Sequence, residues 1–105
     1  MDNFICNLYL TSEAESVIRF LPDSLQRVVQ SKITLMRLGH FPDVRALGQG
    51  LLELRIHKGP GVRVYYCWYE GSIVILLVGT KHRQDSDVRH AQRLMKHLKE
   101  QRHEH

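Results

Sequence analysis

Hydrophobic positions recur along this chain at two periods, and the places where the period changes divide it into segments. Residues 3 to 10, NFICNLYL, are dense in strand formers and run into Thr11-Ser12. Ser12 and Glu15 stand at the spacing of a capping box, so a strand should give way to a helix there. Ala14, Val17, Ile18 and Leu21 recur at helical spacing. Pro22-Asp23 then interrupts and opens a second helix, as proline does in a first turn. Leu25, Val28, Val29, Ile33 and Met36 form the stripe of that helix, and Gly39 suits the left-handed position beyond its end. Residues 40 to 50 hold Pro42, Gly48 and Gly50 without periodicity, which predicts a loop.

Three short strands follow, near 51–57, 62–70 and 72–79, joined by turns at Lys58 to Gly61 and at Glu70-Gly71. Turns this tight predict antiparallel hairpins. IVILLV at 73–78 is a continuous apolar run, which predicts a central strand covered on both faces. From Asp85 or Ser86 onward, Val88, Ala91, Leu94, Met95 and Leu98 mark a last amphipathic helix, with Lys96, Lys99 and Arg102 near its negative end. Residues from about 100 to 105 read as a frayed tail. The order strand, helix, helix, three strands, helix predicts an α+β fold. Its small, antiparallel-dominated sheet should carry two N-terminal helices on one face, together with a C-terminal helix. At 105 residues with no repeat or linker, this is a single domain over 1–105.

Charge changes the picture. The net charge is +4, and residues 45 to 105 hold eleven basic and six acidic groups, against four and five before them. Cations gathered in the second half suit a polyanionic partner, because neutralising phosphates releases counterions. Cys6 and Cys67 lie in apolar, strand-like surroundings without ligand spacing, and read as buried thiols of a reducing compartment. No basic start leads into a long apolar run, and no stretch is long and apolar enough to span a bilayer. The expectation is a cytoplasmic protein with no membrane partner. His103 and His105 read as solvated terminal residues rather than metal ligands, and no metal or other cofactor is expected.

Alternation in LLELRIH sets Leu52, Leu54 and Ile56 on one face and Glu53, Arg55 and His57 on the other. In GVRVYYCWY it sets Val62, Val64, Tyr66 and Trp68 against Arg63, Tyr65 and Cys67. The apolar faces should go inward, leaving Arg55, His57, Arg63 and Tyr65 side by side. Lys81, His82 and Arg83 come just before a helix start, where free amides already favour an anion. Structural readings stand beside these. Arg55 can pair with Glu53 or Asp43, His57 can cap a turn, and Lys81 to Arg83 can be a solvated loop. Asp85 and Asp87 read as helix caps. Metal-free RNA cleavage needs a base for the 2′-hydroxyl, an acid for the leaving oxygen and cations on the phosphorane, and this face can supply all three. His57 or His82 suits acid–base work, while Arg55, Arg63, Lys81 and Arg83 suit the phosphate. Tyr65 could stack on a base or donate its hydroxyl.

The runs FPDVRALGQGLLELRIHKGPGVRVYY and IVILLVGTKHRQDSDVRHAQRL resemble the HigB-like, phage-derived addiction module killer group of the RelE/ParE toxin superfamily. The most specific parts are LG.G..ELRI, GPG.R.YY and K..Q..D...A, and the likeness covers nearly the whole chain. It implies a RelE-like fold and the toxin of a type II toxin–antitoxin pair, acting as a metal-independent messenger RNA endoribonuclease that works with the ribosome and inhibits translation. The implied partners are a cognate antitoxin, mRNA and the ribosome, with operator DNA reached only through the antitoxin. The family's basic positions fall on Arg55, Arg63 and Lys81, with Arg83 beside them. The chain departs from the superfamily's ribosome-dependent nucleases in having Glu53 where a lysine is common, and in lacking a tyrosine near the last helix. His57, His82 or Lys58 then take the acid and base roles, while Lys58, Tyr65 and Arg83 bind RNA. The alternatives on the same fold are a ParE-like gyrase poison and an inactive partner-binding module.

Overall fold

Thr11 decides where the first strand ends. In the computed structural model, which describes residues 5–101, strand β1 (Leu8–Leu10) stops at Thr11, the N-cap of helix α1 (Ser12–Arg19). The Thr11 hydroxyl accepts from the Ala14 amide at 3.0 Å and donates to the Leu76 carbonyl at 2.6 Å. The expected Ser12–Glu15 capping box is therefore not the cap. The Thr11 amide still donates to the Ile75 carbonyl at 3.0 Å, which keeps that residue extended and puts Ser12 one position inside the helix.

Helix α2 (Asp23–Arg37) buries Leu25, Val29, Ile33 and Met36, the stripe its spacing predicts. Gly39 ends it at φ 85°, and the His40 amide returns to the Leu35 carbonyl at 2.9 Å. Residues 40–50 are not simply a loop. Val44–Gly48 form strand β2, antiparallel to β3 (Leu51–Ile56), through a turn in which Gly48, Gln49 and Gly50 all have positive φ. The glycines that hid this strand are the residues that let its hairpin close.

Strands β4 (Val62–Tyr69) and β5 (Ser72–Thr80) complete a five-stranded sheet in the order β1-β5-β4-β3-β2. β1 runs parallel to β5, and the other pairs are antiparallel. β5 lies inside the sheet, and Ile73 to Val78 are buried throughout, as their unbroken apolar run predicts. α1 and α2 pack on one face, against Leu54, Ile56, Val62, Val64, Tyr66, Ile73 and Ile75.

The other face is covered too. Helix α3 (Gln84–Gln101), entered through a single 3-10 turn at Lys81–Arg83, lays Ala91 and Met95 on Leu51, Tyr65, Cys67, Val74, Leu76 and Leu77. The face expected to stand open with Arg63 and Tyr65 is therefore largely roofed, because the apolar stripe of α3 has no other surface to bury against. Each fully buried aliphatic or aromatic side chain contributes roughly 1.5–3 kcal/mol. Of the expected tail, Glu100 and Gln101 are still helical. Residues 3 and 4 of the expected first strand, and Arg102, His103 and His105, lie outside the described residues.

Gly79 makes close seating of α3 possible. A Cβ there would stand 1.9 Å from the Asp87 Oδ2 and 2.9 Å from its Cγ. Gly79→Ala should destabilise the fold by about 1–3 kcal/mol through overpacking. In an Asp87→Ala background the penalty should shrink, which a double-mutant cycle by chemical denaturation measures.

Candidate functional site

Strand pairing assembles the site row by row. On the face beneath α3, Arg55 stands opposite Arg63 and Arg63 opposite Gly79, while in the next row Glu53 stands opposite Tyr65 and Tyr65 opposite Leu77. Like charges directly opposed repel, and Glu53 answers this. Its Oε1 accepts from the Arg55 Nε at 3.1 Å, and its Oε2 accepts from the Gln84 Nε2 at 2.9 Å. Of the two partners open to Arg55 in the sequence, the structure selects Glu53. That carboxylate is fully buried, whereas the Arg55 side chain keeps 21% exposure, enough for its guanidinium to meet solvent or a ligand. Glu53 thus ties the cation of β3 to the first residue of α3.

Arg63 is 6% exposed, and its Nε has no hydrogen-bond partner. It contributes positive potential from beneath the surface rather than from an open face. Tyr65 is fully buried with its hydroxyl unpartnered, so its ring has no free face for a base and the stacking expected of it is not available. Burial, reinforced by the Glu53 and Asp87 charges, pushes its phenol far above the ordinary value.

A second source of cations is joined to the first by backbone hydrogen bonds. The Gly61 amide donates to the Lys58 carbonyl at 3.0 Å, and the Lys81 amide donates to the Gly61 carbonyl at 3.1 Å. The β3–β4 turn and the 3-10 turn thereby share one end of the sheet. Lys58, Lys81, His82 and Arg83 are all exposed there. His57 follows β3 at the same end, and its Nε2 contacts the Asp43 carboxylate instead of capping a turn. The hydrogen bond from His57 holds the Asp43 carboxyl below its usual value, with the charges of His57, Arg55 and Arg63 adding to it. The structure thus gathers Arg55, His57, Lys58, Arg63 and Lys81 at one end, with His82 and Arg83 beyond. It removes Tyr65 from the exposed set.

Asp87 is not a cap. It sits within the first turns of α3, 8% exposed, with Oδ2 unpartnered over Gly79. Burial raises its pKa, opposed by Arg83 and His90. Glu53 had a weak signal in the sequence, since it alternates onto the same face as Arg55. Gln84 and Asp87 had none, because their roles depend on where α3 lands. Among the described residues no three histidine, cysteine or carboxylate side chains group closely enough to hold a metal ion.

Two stability predictions follow from these carboxylates. Glu53→Leu strands the Arg55 guanidinium and the Gln84 amide, and should cost about 1–3 kcal/mol, whereas Glu53→Gln should cost less. Denaturant midpoints at unchanged slope would show it. For Asp87 the folded pKa is raised, so the native state binds the proton more tightly than the unfolded chain does. Its ionised form then lowers stability progressively as the pH rises from the ordinary carboxylate value of about 3.9 to the raised folded one. Asp87→Asn should therefore raise the melting temperature relative to wild type at neutral pH, with the gain shrinking toward acid. A constant gain at all pH values would contradict this.

Comparison with known proteins agrees with this architecture. Residues 16–99 match the family described as Phage derived protein Gp49-like. An uncharacterized protein of Haemophilus influenzae is 38% identical over 71 residues, which is 67% of this chain and 72% of that protein. The archaeal RelE–RelB complex from Pyrococcus horikoshii contains a chain that superposes with a TM-score of 0.59 at 21% identity, covering 75% of this chain and 98% of that one. The toxin–antitoxin complex RelBE2 of Mycobacterium tuberculosis gives a TM-score of 0.59 at 17% identity, covering 76% and 95%. At such low identity the two structures speak for the fold, whereas the family match spans most of the sequence. The chain belongs to the phage-derived Gp49-like family and carries the RelE fold.

Proposed function

We propose that this protein is the toxin of a type II toxin–antitoxin pair and cuts messenger RNA at the ribosome. The observation that carries the reading is the convergence of Arg55, Arg63, Lys58 and Lys81 at one end of the sheet, linked by the Glu53–Gln84 bridge and by the backbone bonds through Gly61.

In this reading the 2′-hydroxyl of a bound nucleotide attacks the adjacent phosphorus. The P–O5′ bond breaks, and the products are a 2′,3′-cyclic phosphate and a 5′-hydroxyl. His57 or His82 takes the 2′ proton or delivers one to the leaving oxygen, with Lys58 as a further donor. Arg55, Lys81 and Arg83 hold the phosphate and meet the charge that develops on the phosphorane, where preorganised donors act most strongly. Arg63 strengthens that field from below. The likeness to chains crystallised with antitoxins supports a cognate antitoxin as partner. Its mixed acidic and apolar segments would complement this basic surface, and operator DNA would be reached through it.

Induction in bacteria followed by primer extension tests the reading. New codon-linked transcript ends should appear in wild type, and a 2′-deoxy substitution at the cut site should block cleavage. Lys81→Ala and Arg55→Ala should each lower cleavage by roughly 10²-fold while keeping the fold, in line with the loss of one transition-state donor. Growth arrest with intact transcripts and trapped DNA breaks would assign the protein to gyrase instead.

A further inference from the structure

A second row of cations lies along the flank of α3 that faces the β2–β3 turn. Arg89, Arg93, Lys96 and Lys99 line a groove of about 680 Å³, with Gln49 of the β2–β3 turn on the far wall and Glu100 among them. The Lys99 ammonium lies 3.7 Å from where a Cβ of Gly50 would stand, so it reaches across to that turn. Arg45 pairs with Glu53 across the β2–β3 ladder and is exposed on the same face of the sheet. None of the four lining cations has a carboxylate at ion-pair distance among the described residues. From Arg89 to Lys99 the row runs along about 15 Å of helix. Its head lies little more than a turn beyond Gln84, whose amide is bonded to Glu53 beside Arg55. The groove therefore leads away from the candidate site along the body of α3.

We propose that this groove holds the sugar-phosphate backbone of single-stranded RNA flanking the bond to be cut, an inference that rests on the nuclease reading above. A row of unpaired cations on a rigid helix neutralises successive phosphates and releases their counterions, giving affinity without sequence preference. The Gln49 amide is placed to meet a ribose hydroxyl. An acidic peptide would also answer the charge, but it would need apolar anchor sites. Met95 is the one apolar side chain lining the groove and it is nearly buried, while the exposed large apolar side chains among the described residues, Ile5, Tyr9, Phe20, Leu38 and Trp68, all lie outside it.

Binding of a short, non-cleavable 2′-O-methyl RNA to the intact protein, followed by fluorescence anisotropy over a salt series, tests this. Arg93→Glu with Lys96→Glu should weaken binding by about tenfold or more and lower the salt slope by about one for each lost phosphate contact. Glu100→Gln should tighten binding. Arg19→Glu with Arg27→Glu, exposed on α1 and α2, should change it little. Arg55→Ala should lower cleavage in cells by roughly 10²-fold while costing less oligonucleotide affinity than the groove pair does. The inference is overturned if the groove pair binds like wild type, if the α1–α2 pair weakens binding equally, or if the groove pair loses only antitoxin affinity. RNA held through the groove by a wild type that leaves transcripts intact would support the groove and remove the nuclease reading.

Discussion

The seating of α3 on the sheet is the constraint on which the rest of the molecule depends. A sheet whose central strand is apolar on both sides must be covered twice, and α1 with α2 cover only one side. Ala91 and Met95 close the other. That single contact buries Tyr65, turns Arg63 into a subsurface charge, places Gln84 over Glu53 and fixes where Lys81 to Arg83 emerge. It also sets the cationic flank of α3 against the β2–β3 turn. Gly79 is the local condition for it, since a side chain there would occupy the space taken by the Asp87 carboxyl.

Beneath this basic surface lie two buried acids with opposite circumstances. Glu53 has both oxygens bonded and neutralises one of two arginines that the strand register sets face to face. Asp87 keeps an unpartnered oxygen, and burial shifts it toward its neutral form. A satisfied buried carboxylate orients its partners, whereas an unsatisfied one detracts from stability. The first suits a device for aiming Arg55. The second marks a position where local polarity is kept at some expense to the fold.

Much of the fold was legible in the sequence because its strongest signals were periodic. The α2 stripe follows from spacing, the buried run of β5 from its unbroken apolar sequence, and the two hairpin turns after residue 56 from the turn residues at Lys58 to Gly61 and Glu70-Gly71. What escaped depended on tertiary partners. β2 is five residues long with glycines at its turn, and only pairing with β3 makes it a strand. Thr11 rather than Ser12 became the cap because a sheet hydrogen bond holds it extended. Of the candidate site, the cations were legible from alternation and from the run before the last helix. Their burial was not, since alternation says which residues share a face but not whether a later helix will cover it.

The parallel pairing of β1 with β5 joins the first strand of the chain to the last. The Thr11 hydroxyl that caps α1 is bonded to a carbonyl sixty-five positions away. During synthesis β1 therefore waits without this partner until β5 has left the ribosome, and α3 can roof the sheet only after that. Contacts of such long range are the slow ones to form. The sheet, its capped helix and the cationic end all come into existence at about the same moment, so an incomplete chain carries neither the assembled surface nor whatever activity resides there.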